Sequence, residues 1–338
     1  MKIEILGSET LGVRGLSCFV RVGEVKVLID PGLALGYTRY GYHPHPLQAA
    51  YGDRVKDKIV RCWKKATDII ISHLHGDHVP LPHPNPFQLG ISDVIGLNPD
   101  ATIWIKPKKF CSELELARFV ELGKAFKDQI VEMNIGEADG ILHFFGPFSH
   151  GYESKTLVFA TVIEDFVHTS DTQLLDKHVI SKILKLEPRV VFSDGPPVYR
   201  WISRRAWYLN LFKIAYENAL RLVNHTDVVI VDHHLMRCDA GLEWLKRIGK
   251  NVLCSAEFLD KPITMLESWR RVLYSAIPVK KDLFMKEFNE LKDRCRMLLP
   301  KLDKELKKKR PRMKEEFERV LHTVLARFKN LTFDSTII

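Results

Sequence analysis

The stretch TDIIISHLHGDHVP, residues 67–80, limits the fold of this 338-residue chain more than any other. Ile69, Ile70 and Ile71 read as a buried strand, and His73, His75, Asp77 and His78 crowd directly behind it. Composition alone would produce H-x-H-x-D-H in roughly one such chain in 700. A lone histidine is ordinarily a satisfied core residue; three in six positions call for another reason. At a strand end, residues i and i+2 face the same side, so His73 and His75 can aim two imidazoles at one point. Gly76 permits a sharp turn, after which Asp77 and His78 leave in another direction and can serve a second point. Imidazole with carboxylate suits Zn²⁺ or another borderline divalent ion. Four ligands split two and two, so both ions would need more from elsewhere.

The rest of the chain repeats the setting of an apolar strand ending in a metal-capable side chain. ILHFFGPFSHG ends in His150, EDFVHTSDT in Asp171, TDVVIVDHHLMRC in His233 and His234, and VKVLIDPG in Asp30. Each alone has a plain explanation as a turn acid or helix cap. Five strand ends with the same feature are harder to dismiss.

Strand-like runs fall at 2–6, 17–22, 25–30, 68–71, 102–105, 141–145, 156–162, 165–169, 190–193, 227–231 and 252–254, rich in Val, Ile and Phe and bounded by Gly, Asp or Pro. Helical patterns occupy 112–127, 173–186, 201–223, 240–249 and 265–275. Strands come first in hairpin-like clusters and then alternate with helices. An α/β (α+β) chain of two sheets packed face to face, with helices outside, fits this order better than one parallel sheet. From 279 onward no strand signal remains. Phe284, Phe288, Leu291, Cys295, Leu298 and Leu302 form one helical stripe, Pro300 is expected to break or restart that helix, and Pro311 to do so again. A last helix carries Phe317, Val320, Val324 and Phe328. The chain thus divides into a body, 1–278, and a basic helical appendage, 279–338, folded back on it. No internal repeat is evident.

Charge and cysteine usage narrow the class. Of the net +9, residues 280–331 alone contribute +8, with 17 Lys/Arg against 9 Asp/Glu, so the tail is basic and the body nearly neutral. Such a tail can serve a polyanion such as RNA or be a solvated helix face. The six cysteines, Cys18, Cys62, Cys111, Cys238, Cys254 and Cys295, show no C-x-x-C pair, a pattern of reduced thiols in a cytoplasmic protein. No window approaches a membrane span, and MKIEILGSE lacks the apolar core and cleavage site of a signal peptide. Oligomeric state is not readable.

Asp30, then His73-x-His75-x-Asp77-His78, then His150, Asp171 and a late histidine resemble the ordered motifs of the metallo-β-lactamase superfamily over residues 1 to about 255. The resemblance implies a four-layer αββα sandwich with a dinuclear metal site at one edge of the sheets. It implies that His73, His75 and His150 hold one ion, that Asp77, His78 and a late histidine hold the other, that Asp171 bridges, and that Asp30 buttresses the ligand loops. HHLMRC is similar to the H-F-S-x-R-Y ending of tRNase Z enzymes if His233 is the ligand and Arg237 matches the arginine, with Leu235 standing for Ser and Cys238 for Tyr. His233 is preferred over His234 on that ground. SETLGVRGLSCFV, LIDPG and RYGYHPHP look closest to an uncharacterised archaeal family of the superfamily, a narrower likeness that names no substrate.

The expected protein is a hydrolase with two divalent ions, Zn²⁺ first and Mn²⁺ or Fe²⁺ as alternatives. Such ions bring the pKa of water from 15.7 towards about 7. Asp77 or Asp171 would orient the nucleophile or move its proton, and the second late histidine, His234, would stabilise developing charge or protonate the leaving group. Two loops are expected to border the pocket. GYTRYGYHPHP offers Arg39, Tyr40, His43 and His45 to face substrate; SDGPPVYRWISRR offers Asp194 at its strand end, and Tyr199, Arg200, Arg204 and Arg205 as donors suited to phosphate. A small-molecule or nucleic-acid phosphodiester is favoured over an ester, thioester or lactam. A nucleic-acid or protein-binding module with a structural metal is the alternative.

Overall fold

The computed structural model describes residues 1–135, 140–152, 154–202, 205–280 and 285–327. Phe284, Phe328 and Arg204 lie outside them, as do the side chains of Trp201 and Arg205. Twelve strands are found among them: β1 Lys2–Gly7, β2 Ser17–Val22, β3 Val25–Ile29, β4 Asp68–Ile71, β5 Thr102–Ile105, β6 Ile130–Glu132, β7 Leu142–Ser149, β8 Leu157–Ile163, β9 Phe166–His168, β10 Val190–Ser193, β11 Val228–Val231 and β12 Val252–Leu253. The helices are α1 Pro46–Trp63, α2 Glu113–Ala125, α3 Lys177–Leu184, α4 Val198–Trp201, α5 Arg205–Val223, α6 Ala240–Ile248, α7 Ser255–Phe258, α8 Arg270–Ala276, α9 Met285–Lys309 and α10 Lys314–Arg327.

The strands form two six-stranded mixed sheets, β1 to β6 in order and β12 to β7 in order. In each, three antiparallel strands lead into parallel ones: β1/β2/β3 are antiparallel and β3/β4/β5/β6 parallel, as β7/β8/β9 and then β9/β10/β11/β12 are. The same strand plan therefore occurs twice, although the sequence shows no repeat. Period-two alternation sets the layers. Ile29, Ile70, Phe159, Phe192 and Ile230 point between the sheets into one core. Leu28, Ile69, Ile71 and Ile103 face outward onto α1 and α2, meeting Ile59, Trp63 and Leu122. Val191, Val229 and Val231 face the opposite way, into a third cluster with Ala215, Leu245, Leu298 and Phe317. Helix, sheet, sheet, helix is the four-layer order.

Two features depart from expectation. Helix α1 was not legible. Its first turns, Pro46 to Gly52, are buried all round, so no polar face alternates with an apolar one and the helical period is erased. Helix α9 runs unbroken through Pro300. The missing N–H costs about 3 kcal/mol, and burial of Leu298, Leu299 and Leu302 on both sides of the proline offsets it. Pro311 does fall between α9 and α10. Helix α9 lies along α1, where Asp303 receives Tyr51 Oη at 3.0 Å and pairs with Arg54. Trp269 packs on Phe317 of α10 with ring centres 5.1 Å apart. The apolar packing thus runs continuously from the body into residues 285–327.

Candidate metal centre

Strand direction assembles the centre. Strands β1, β3 and β4 run one way in the first sheet, and β7, β9, β10 and β11 run together in the second, so their C-terminal ends share an edge of each sheet. Past those ends stand Glu9, Asp30, His73, His150, Asp171, Asp194 and His233. Asp30 and His233 adopt positive φ, +46° and +42°, an uncommon backbone state for these residues that turns each side chain back to the edge.

Asp171 is the hub. Its Oδ2 lies 3.1 Å from His150 Nε2, 3.2 Å from His78 Nε2, 3.5 Å from His233 Nε2, 3.6 Å from His234 Nε2 and 3.7 Å from His73 Nε2. Four ligand-capable sets lie around it among the described residues, each with its donor atoms within 4.8 Å of one another: His73, His75, His150 and Asp171; Asp30, His73 and His78; Asp77, His78 and His233; Asp171, His233 and His234. Two polar atoms test whether a cation fits. His73 Nε2 and Asp171 Oδ1 are buried without any hydrogen-bond partner. An unsatisfied buried polar atom costs about 1–3 kcal/mol, and both belong to the His73–His75–His150–Asp171 set, where a cation would satisfy them. The donor set of imidazole and carboxylate is that of a borderline divalent ion.

The far side of each ring is fixed. Asp30 Oδ2 meets His78 Nδ1 at 2.9 Å and also accepts Ser72 Oγ at 2.7 Å, while its Oδ1 accepts Ser72 N–H. Ser72 Oγ and Ser170 Oγ lie 3.1 and 3.3 Å from His73 Nδ1. The peptide of Leu74, between His73 and His75, is gripped on both sides by α2: Glu115 Oε1 accepts its N–H and Arg118 Nη1 donates to its carbonyl. Asp194 holds His234 Nδ1 at 2.8 Å. Glu9 holds His233 Nδ1 and Arg237 Nε, both at 2.9 Å, and Arg237 Nη2 reaches Asp77 Oδ2 at 3.2 Å.

Glu9, Ser72, Ser170, Glu115 and Arg118 were not singled out from sequence. Glu9 could have been, since it too follows a strand end. Replacing Glu9 by Ala frees His233 and Arg237 together. Its metal affinity is expected to fall by about 10–100-fold, read by chelator competition, with Glu9→Gln retaining part because the amide oxygen still accepts from one partner.

Charges in the metal-free protein show how the cluster holds itself together. Burial opposes charge on every ring. At His78 the carboxylates of Asp171 and Asp30 overcome it and raise the pKa well above its ordinary value. At His233, Glu9 and Asp171 outweigh both burial and Arg237 and lift it to about 10. Burial, His78 and His75 push His73 well down, and burial with His150 takes His75 to about 4. Against burial, His78 and His233 hold Asp171 and Asp77 well below the carboxylate range. Protons on His78 and His233 thus stand where cations would. A metal accepts only a neutral imidazole, so uptake must displace them. Near neutral pH, binding is expected to release about two protons per chain. Apparent affinity therefore rises with pH until both His78 and His233 have lost their protons, His233 near pH 10. Calorimetry in buffers of different ionisation enthalpy reads this directly.

The residues expected to border a pocket divide. Arg39, Tyr199 and Arg200 come together at Arg237. Arg39 Nη2 donates to the Arg237 carbonyl and its guanidinium stands 5.3 Å from the Tyr199 ring centre, while Arg200 Nε donates to Tyr199 Oη. Two expectations are corrected, His45 and Asp194, and His43 stands apart from the cluster. His45 is fully buried and caps α1: Nδ1 accepts Leu47 N–H and Nε2 donates to the Ile277 carbonyl, which leaves no ring atom for substrate. Asp194 is fully buried, committed to His234 and the Gln173 N–H, and so orients a histidine. His43 is exposed and packs on Tyr37, its Nδ1 at the Tyr37 carbonyl, with no cluster residue among those contacts.

Two mixed sheets flanked by helices, with a histidine–aspartate cluster at their shared edge, place the molecule in the αββα sandwich class that the sequence motifs resemble. The chain belongs to the UPF0282 family. It is 38% identical to the UPF0282 protein of Methanosarcina mazei over 289 residues, 82% of this chain and 93% of that one, and 31% identical to that of Pyrococcus horikoshii over 295 residues, 81% and 93%. No protein-family model matches. Among solved structures it is similar to a diphosphatase from the PhnP family, with TM-score 0.41 and 16% identity over 75% of this chain and 93% of that one. It is also similar to isothiocyanate hydrolase from Delia radicum gut bacteria, with TM-score 0.42 and 13% identity over 75% and 96%. No helix among the described residues is long and apolar enough to cross a membrane.

Proposed function

We propose that this chain is a metal-dependent hydrolase that uses two divalent ions, Zn²⁺ first, on a phosphodiester or RNA-like substrate. One observation carries the reading: five imidazole nitrogens converge within 3.7 Å of a single buried carboxylate oxygen, Asp171 Oδ2. His73, His75 and His150 would hold one ion, Asp77, His78 and His233 the other, with Asp171 between. When bound, such ions lower the pKa of water towards about 7 and polarise the bond under attack. The protein's own groups do the rest. Asp171 and Asp77, both ionised, can orient a water and take its proton. His234, whose Nδ1 meets Asp194 and whose Nε2 faces Asp171, would stabilise the charge developing on a leaving group or protonate it; burial with the Arg237 and His233 charges holds its pKa well down in the metal-free protein.

The preference for phosphate rests on Arg39, Arg200 and Arg237. Arg237 reaches Asp77, and Arg39 and Arg200 gather at Arg237 around Tyr199; planar guanidinium groups match phosphate oxygens in pairs. Bis-p-nitrophenyl phosphate, RNA oligomers, thioesters and lactams, each assayed with zinc, manganese and iron, test the reading. Phosphodiester turnover supports it. Turnover of thioester or lactam without phosphodiester overturns the substrate class, and no turnover with any metal in metal-replete protein overturns the hydrolase.

A further inference from the structure

A cavity of ≈ 600 Å³ lies where α9 crosses α1, roofed by the loop 259–264. That is the size of a small-ligand site. Its floor is apolar, built from Leu6, Leu11, Val55 and Leu306 beside Tyr51 and Pro262. Its walls carry five cations, Arg54, Lys58, Arg61, Lys261 and Lys307, against two carboxylates, Asp260 and Asp303. Both carboxylates are already neutralised: Asp303 by Arg54, Asp260 by Arg310. Lys58 pairs with Glu4 at 3.0 Å. Arg61, Lys261 and Lys307 have no ion-pair partner among the described residues. Burial and the neighbouring Lys58 ammonium pull the Lys261 pKa down, against the carboxylates of Glu4 and Asp303.

We propose that this cleft binds a nucleoside phosphate, with the nucleoside against the partly exposed Leu11, Leu259 and Pro262 and the phosphate against Arg61, Lys261 and Lys307. An apolar floor under a cationic rim matches an anion with an apolar body. Inorganic phosphate would leave the floor uncovered. The site is separate from the metal centre yet stands back to back with it. Thr264, in the cleft wall, donates through N–H and Oγ1 to the Thr10 carbonyl. Thr10 N–H donates to Asp232 Oδ1, and the residues on either side of Thr10 face opposite ways: Leu11 lines the cleft and Glu9 holds His233. This inference does not rest on the hydrolase reading.

Calorimetric titration of chelator-treated protein with AMP tests it: chelation takes the ion from the histidine cluster, and the cleft variants below separate this site from the arginines at Arg237. The expected result is one saturable site per chain. Combined Arg61→Ala, Lys261→Ala and Lys307→Ala weakens AMP by about tenfold or more, since each change removes a charge-assisted contact. Far-UV circular dichroism should be unchanged because all three side chains are exposed. Lys261→Glu alone, a milder change, should weaken AMP in the same direction. No saturation by about 1 mM AMP, or equal affinity in the triple variant, overturns the proposal. Inorganic phosphate binding as tightly as AMP overturns the nucleoside part. A fluorescent RNA oligomer that binds far more tightly than AMP and loses that affinity in the triple variant makes the cleft a polynucleotide groove and overturns the small ligand.

Discussion

Asp171→Ala is expected to empty the centre: metal content falls from about two ions per chain to below one, and turnover drops to background, because the carboxylate that sets the spacing between both ligand sets is gone. Its Oδ2 is the only atom that all of His73, His78, His150, His233 and His234 approach within 3.7 Å among the described ion pairs. The same change also weakens the metal-free protein. His78 and His233 carry protons in part because Asp171 is there. Removing one member of a buried charge group costs about 3 kcal/mol, read as a lower midpoint in urea for the chelated variant. Asp171→Asn separates the causes, since it keeps the volume and loses the charge. Wild-type metal content with full activity in Asp171→Ala would refute the bridging role. A single ion in metal-replete wild type would refute the dinuclear reading.

The late histidine pair gives the second large effect. His233→Ala is expected to lose one ion, while His234→Ala keeps both and loses turnover by about 10²–10⁴-fold, the range for a general acid or base. The two rings stack with centres 4.3 Å apart, and each points Nε2 at Asp171. Their surroundings differ. His233 Nε2 lies 3.4 Å from His78 Nε2 and 3.5 Å from Asp77 Oδ2, within the set of Asp77 and His78. His234 shares a set with Asp171 and His233 instead. Metal analysis beside turnover reads both: His234→Ala keeps two ions and loses kcat, whereas His233→Ala loses an ion and kcat together. Loss of an ion from His234→Ala, with two kept in His233→Ala, exchanges the roles.

The sequence by itself determined the elements and the kind of chemistry. Strand β4 and its neighbours were legible because an apolar run bounded by Gly, Asp or Pro is a local signal. Candidate ligands were legible because i and i+2 at a strand end share a face, and because three histidines in six positions have no ordinary structural use. The hidden elements were those whose signal is not local. Helix α1 showed no period because its first half is buried on every side, and α9 passed through Pro300 because leucines on both sides hold it to the core.

Only the tertiary structure decided which groups share the edge. Asp30 sits 42 residues before Ser72, and Glu9 sits 224 before His233. No periodicity links such pairs; the parallel direction of β1, β3 and β4, and of β9, β10 and β11, brings them together. The same pairing chose between like residues. His45 became a helix cap and Asp194 a brace for His234, while Arg39 and Arg200 converged on Tyr199. A side chain's chemistry is written in its own letter, but its neighbours come from strand order and layer packing, which depend on every strand at once.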